Sequence, residues 1–243
     1  MIGQVVVFDG HRLNDLFRVG VVETPAPAIL PELSELRRGS KVRSVRIGTS
    51  TVTVPLVAKR GHMVDVRESI SALLSWLDVD GARYLSLSDD RGKKRLVVPT
   101  GVDVGDHEWN DVLTVTFEQV DPMLLGKTVS IAPTGFPVSF NVGGDAPTRP
   151  VITCGVAAST QSVGRLWSMR LDDNVDMGVV LPSTAAASLS IDCAERTAKV
   201  NGAVSMIPLG LDWFELTPGR HTISLPNGTA SEVMISWVER WHR

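Results

Sequence analysis

Three runs decide the fold of the second half: Thr148-Arg149-Pro150-Val-Ile152-Thr-Cys-Gly155, Leu189-Ser-Ile191-Asp192 with Val200-Asn201-Gly202 downstream, and Phe214-Glu-Leu216-Thr-Pro218-Gly219-Arg-His-Thr-Ile223. Apolar residues fall on every second position. Successive strand residues point to opposite faces, so this period belongs to strands with one buried face. From about Asn141, such runs are short and parted by turn residues. Asn201-Gly202 and Asn227-Gly228 each supply a pair suited to the positive φ of a tight hairpin turn. The second half therefore reads as a β-sandwich, and no residue cluster suited to catalysis lies in it.

Upstream the chain is again mainly β, with one change of period. Gln4 to Phe8 and Phe17 to Glu23 read as strands. The passage Thr24-Pro-Ala-Pro-Ala-Ile-Leu-Pro31 does not suit a central strand, because proline has no amide to donate. Ser44-Val-Arg-Ile-Gly and Thr51 to Ala58 read as one long bent strand or a hairpin. Val66, Ile70, Leu73, Leu74 and Leu77 then follow helical spacing, which predicts a helix over about 66–78 with Arg67, Glu68, Ser71 and Asp78 outward. Strands resume at Arg83 to Leu87, Arg95 to Thr100 and Val112 to Phe117.

The 243 residues suit two domains, each able to bury a core. Hydrophobic residues make up 43% and charged residues 21%, the composition of a globular chain. A formal net charge of -3 gives no general attraction to nucleic acid or anionic membrane, and no apolar run is long enough to span a bilayer. The start, Met-Ile-Gly-Gln-Val-Val-Val-Phe-Asp-Gly, lacks a basic stretch and meets Asp9 early, so no signal peptide is expected.

Several motifs invite a chemical reading. Asp172-Asp-Asn174-Val-Asp176 opens like a calcium loop, but Met177 stands where glycine is needed and Ser183 where a bidentate glutamate is needed. A solvated acidic turn is the preferred reading. The histidines His11, His62, His107, His221 and His242 form no metal-binding pair. His107 and Glu108 adjoin, but strand neighbours face opposite ways. Neither a Gly-x-Ser-x-Gly elbow nor a phosphate-cradling Gly-x-x-x-x-Gly-Lys is present. Cys154 and Cys193 fit neither a zinc ribbon nor a redox pair and are expected to be buried free thiols; a disulfide between them stays an alternative. No catalytic residue, cofactor or metal site is expected.

Phe117-Glu118-Gln-Val-Asp121-Pro122 stands at the end of the first domain, and Asn141-Val-Gly143-Gly144 opens the second. The Asp192 to Asn201-Gly202 hairpin and the Pro218-Gly219 turn follow. Taken in succession, these features resemble the distal tail (Dit) protein family of long-tailed phages, the hub of the tail tip or baseplate. The resemblance implies a ring-forming N-terminal β domain with one α-helix over 1–130, and a C-terminal galectin-like β-sandwich over 131–243. It further implies a homohexameric ring joined to the tail tube protein on one side and to a tail-associated fibre or lysin protein on the other. The same resemblance implies receptor-binding proteins around the periphery, assembly in a bacterial host cytoplasm and residence in the virion.

Basic residues cluster at Arg37-Arg38 through Lys41, Arg43 and Arg46, and at Arg91-Gly-Lys93-Lys94-Arg95. Without interleaved aromatics, and with Asp89-Asp90 alongside, they suit salt-bridged boundaries better than a nucleic-acid stripe. Arg67, Glu68, Lys93, Lys94 and Arg95 are the candidate subunit-interface residues. Six tryptophans raise the alternative of a carbohydrate-binding module, in which exposed rings stack on sugars. Trp237 is expected in the core, and Trp241 is the candidate partner-binding aromatic. A hydrolase built from distant residues is a third reading.

Overall fold

The computed structural model describes residues 4–36, 39–59, 63–104, 112–158, 164–208 and 210–242, with backbone alone for residues 29, 32–36, 39–47 and 63–65. The chain forms two compact units, Met1–Leu125 with His242–Arg243 and Gly126–Trp241.

The first unit contains β1 (Val6–Phe8), β2 (His11–Arg12), β3 (Phe17–Val19), β4 (Ile29–Leu36), β5 (Gly39–Ile47) and β6 (Ser50–Ala58). Helix α1 (Met63–Leu77), β7 (Arg83–Leu87), β8 (Lys94–Val104) and β9 (Val112–Gln119) follow. Seven strands make one sheet in the order β2-β1-β7-β8-β9-β6-β3. The alternation in β6 and β9 sets Val52, Val54 and Leu56 opposite Phe117, Val115 and Leu113, and all six are buried. Leu73 is buried in the same core, with Val66, Ile70, Trp76 and Leu77 packed against it. Leu74, expected in that stripe, is 49% exposed. At about 100° per residue, Leu74 lies beyond the flank of a face centred on Leu73.

The region from Ile29 to Ile47 departs from expectation. β5 does not form a hairpin with β6; it pairs with β4 as a separate two-stranded ribbon, Ile29 opposite Ile47 and Leu36 opposite Gly39. Pro31 sits inside β4, a position tolerated because a ribbon has two free edges. β6 instead pairs with β3 and β9.

The second unit takes in most of β10 (Leu124–Ile131), then β11 (Val138–Val142), β12 (Val151–Val156), β13 (Arg165–Leu171) and β14 (Val175–Leu181). β15 (Ala187–Asp192), β16 (Thr197–Val200), β17 (Ala203–Ser205), β18 (Gly219–Asn227) and β19 (Ser231–Trp241) complete it. One sheet runs β17-β16-β15-β12-β19-β10 and the other β11-β18-β13-β14. Their inner faces share one core: Ile152, Leu189, Ile191 and Ile235 from the first meet Trp167, Met169, Val179 and Ile223 from the second. The β-sandwich expected from the alternation is present. Asn201-Gly202 is the tight turn between β16 and β17, with both residues at positive φ. At Asn227-Gly228 only Gly228 is at positive φ, and no hairpin forms, because β18 and β19 lie in different sheets. The dipeptide marks a crossover between layers.

Candidate functional site: assembly and partner surfaces

Of the candidate interface residues in the first unit, Arg67 and Glu68 are exposed on α1. Lys94 is exposed, and its Nζ lies 5.3 Å from the centre of the Tyr84 ring. Lys93 is half-buried, and its backbone N–H donates to the Asp90 carbonyl at 3.1 Å. Arg95 is corrected by the structure: it is only 2% exposed and faces inward. β8 alternates, so Arg95 shares its face with the buried Val97, while Lys94 faces out. The Arg95 guanidinium donates from Nε and Nη2 to the two Asp90 oxygens at 2.7 and 2.6 Å, and from Nη1 to Gln119 Oε1 at 3.1 Å. Gln119 Oε1 also accepts from Ser50 Oγ, and its Nε2 donates to the Asp121 carbonyl at 2.6 Å. Asp121 in turn accepts from the Met123 N–H. The network ties three segments to the Phe117-to-Pro122 stretch and leaves no charge of Arg95 for a neighbour. The alternation toward Val97 was the sequence signal for this.

The outward positions of β6 and β9 face each other in register: Thr51 with Glu118, Thr53 with Thr116, Pro55 with Thr114 and Val57 with Val112. All are exposed or half-exposed, and only Glu118 carries a charge. A solvated sheet face ordinarily carries more charge. Arg37, Arg38, His62, His107 and Glu108 lie outside the described residues, as do the side chains of Lys41, Arg43 and Arg46.

The second unit buries two of its tryptophans. Trp167 is 1% and Trp237 3% exposed, and Trp237 lies 5.1 Å from Phe140, centroid to centroid. Trp213 and Trp241 are half-buried, Trp241 with its Nε1 close over Gly126. Trp167 and Trp237, being buried, offer no face that stacks on sugars.

The Gly143-Gly144 pair has a physical reason. A Cβ on Gly143 would meet the Glu239 carboxylate, and one on Gly144, at φ +103°, would meet the Arg240 carbonyl. That carbonyl accepts from the N–H groups of Asp145 and Ala146 at 3.0 and 3.1 Å, clasping the end of β19. Only glycine allows so close a backbone approach.

Two carboxylates of the acidic stretch at the turn between β13 and β14, Asp172 and Asp176, are engaged within the unit. Asp172 accepts from the Thr222 N–H at 2.7 Å and lies 2.6 Å from His221 Nδ1, while His221 Nε2 lies 2.6 Å from the Thr217 carbonyl. A hydrogen bond from the Arg170 guanidinium holds the Asp176 carboxyl below its ordinary range. Among the described residues, no three His, Cys, Asp or Glu side chains converge as a metal site. Cys154 and Cys193 are buried and free. Cys154 lies opposite Leu189, four positions along β15 from Cys193. At about 3.3 Å per residue that separation exceeds the reach of a disulfide. Burial pushes both thiols up to about 12. Among the described residues, no helix is long and apolar enough to cross a membrane.

Residues 143–241 match a protein family, the siphovirus-type tail component, C-terminal domain. Among solved structures, the chain is similar to the Dit protein (gp 19.1) of SPP1, presented as a paradigm of the hub adsorption apparatus in phages infecting Gram-positive bacteria. The TM-score is 0.75 at 19% identity, over 98% of both chains. It is also similar to a chain of the phage P2 baseplate in its activated conformation with Ca, at TM-score 0.54 and 7% identity over 98% of both chains. The form with Sr gives 0.51 and 7% over 97% of both. No curated protein matches by sequence. The matched residues lie within the second unit, and the whole chain shares its fold with the SPP1 Dit protein.

Proposed function

We propose that this chain is the structural hub subunit of a phage tail tip, a distal tail protein whose first unit closes with copies of itself into a hexameric ring. The ring joins the tail tube protein on one side to a tail-associated fibre or lysin protein on the other, and the second unit receives receptor-binding proteins. The observation that carries this reading is the match of residues 143–241 to the tail-component domain, on a fold shared with a hub protein over 98% of the chain. The role is structural, not enzymatic, and the protein resides in the virion after assembly in the host cytoplasm.

Two features of the first unit support self-association. The outer face of β6 and β9 bears threonine, valine and proline with a single carboxylate. The β4–β5 ribbon has two strands only, and an isolated two-stranded ribbon is marginal in water, so a neighbouring copy that adds a strand stabilises it. Closed cyclic symmetry lets a small subunit enclose a channel. Arg67, Glu68, Lys93 and Lys94 make charged contacts at the rim of that boundary, and Trp241 belongs to a partner contact of the second unit.

Negative-stain electron microscopy of the purified chain at several concentrations, with light scattering for mass, tests the reading. Six-fold rings with an open centre are expected. A monomer at every concentration, with no ring on adding tail-tube protein, overturns it.

A further inference from the structure

At one end of the second unit's sandwich, a pocket of about 180 Å³ lies among Arg165, Trp167, Leu181, Pro226, Asn227 and Gly228. Arg165 opens β13 in the alternation of Trp167, Met169 and Leu171, all buried, so it is directed toward the core but at its rim. Its Nη2 donates to the Ala157 carbonyl at 2.8 Å. Its Nε is buried and has no hydrogen-bond partner among the described residues. A guanidinium with an inward N–H left unpaired is unfavourable unless an acceptor reaches it, and an anionic acceptor also offsets the charge.

The floor of the pocket is held open by backbone chemistry. Gly228 is at φ +97°, and a Cβ there would fall 2.7 Å from Trp167 Cδ1. Trp167 is fixed by donating from Nε1 to the Thr229 carbonyl at 3.3 Å. Asn227 is exposed at the mouth and donates from Nδ2 to Ser168 Oγ at 3.2 Å. Among the described residues, no acidic side chain lines the pocket.

We propose that this rim pocket takes a carboxylate from a partner protein, held by the Arg165 guanidinium with Asn227 beside it. A pocket of this size accommodates a single acidic group. The carboxylate is supplied by an Asp or Glu side chain or by a chain's free C-terminus. The inference deepens the hub reading, since it names the chemistry by which the second unit receives a peripheral protein.

Two-dimensional NMR of the full-length protein, following the Arg165 Nε–H and the Asn227 side-chain amide, tests it with three probes: N-acetylglutamate amide, acetyl-alanine with a free carboxylate, and the neutral N-acetylglutamine amide. Saturable shifts with one or both carboxylates and none with the neutral probe are expected, and whichever carboxylate binds more tightly identifies the source. Arg165→Gln weakens binding by on the order of tenfold or more, the scale of a charge-assisted hydrogen bond. Asn227→Ala, which keeps the guanidinium, weakens it less and guards against misfolding of the first variant. Equal shifts with the neutral probe, or none at all, overturn the proposal. Rings formed normally by Arg165→Gln would show that a failure here leaves the hub reading standing, whereas carboxylate binding without rings would overturn the hub reading alone.

Discussion

The two units solve the problem of covering a sheet in different ways. In the second, two sheets bury each other's inner faces, and Trp167, Phe214 and Ile235 are sealed without help. In the first, one sheet is covered by a single helix on one face, while its other face and the β4–β5 ribbon are left without a partner from the described chain. A self-sufficient sandwich is free to present its periphery, and a half-covered sheet favours assembly. On the proposed reading, this difference separates the part that builds the ring from the part that displays partners.

The contrast makes separate demands on each unit. Arg95→Met leaves the Asp90 carboxylate buried and unpaired, which costs about 3–5 kcal/mol. Calorimetry is expected to show the transition of the first unit falling while that of the second stays, and an unmoved first transition would refute the keystone role of Arg95. Gly144→Ala acts in the other unit. The added methyl meets the Arg240 carbonyl at a backbone angle that disfavours a side chain, so the second transition drops by at least about 1 kcal/mol. A drop confined to the first transition would show that the clasp at the end of β19 does not hold the sandwich.

The buried thiols give a pH signature confined to the second unit. Folding raises Cys154 and Cys193 from 9.0 to about 12, so the folded state disfavours the thiolate. Their contribution to stability is complete below pH 9.0 and is lost as pH rises toward about 12. Melting scans at alkaline pH should show the second transition falling, and the decline should flatten in a Cys154→Ala, Cys193→Ala variant. Labelling by a thiol reagent at pH 8 is expected only after unfolding, and rapid labelling of the native protein would contradict the burial. The smallest effect on stability belongs to the paired change Lys93→Glu, Lys94→Glu. Losing the Lys94 contact with Tyr84 is worth under about 1 kcal/mol, yet the size of assemblies in light scattering should change. Rings of unaltered mass would remove these lysines from the interface.

Much of this division was legible in the residues. Alternation exposed the sandwich, because a strand with one buried face cannot hide a period of two. The helix was legible from Val66, Ile70, Leu73 and Leu77. Pairing was not, since alternation says which face is buried but not which strand lies alongside. Hence β5 was joined in expectation to β6, when it pairs with β4. Asn227-Gly228 failed for a related reason: the dipeptide permits a tight turn, and the layer of the next strand decides whether one forms. Arg95 was misplaced because charge was weighed above its position beside Val97. The Arg165 pocket had no local signal, as its walls come from β13, β14 and the β18–β19 crossover.

Hydrogen exchange compared between dilute and concentrated protein tests the division of labour between the units. Added protection on the β4–β5 ribbon and on β3, β6 and β9, with the second unit unchanged, is what the half-covered sheet predicts. Protection that appears only on the second unit, or nowhere, would contradict it.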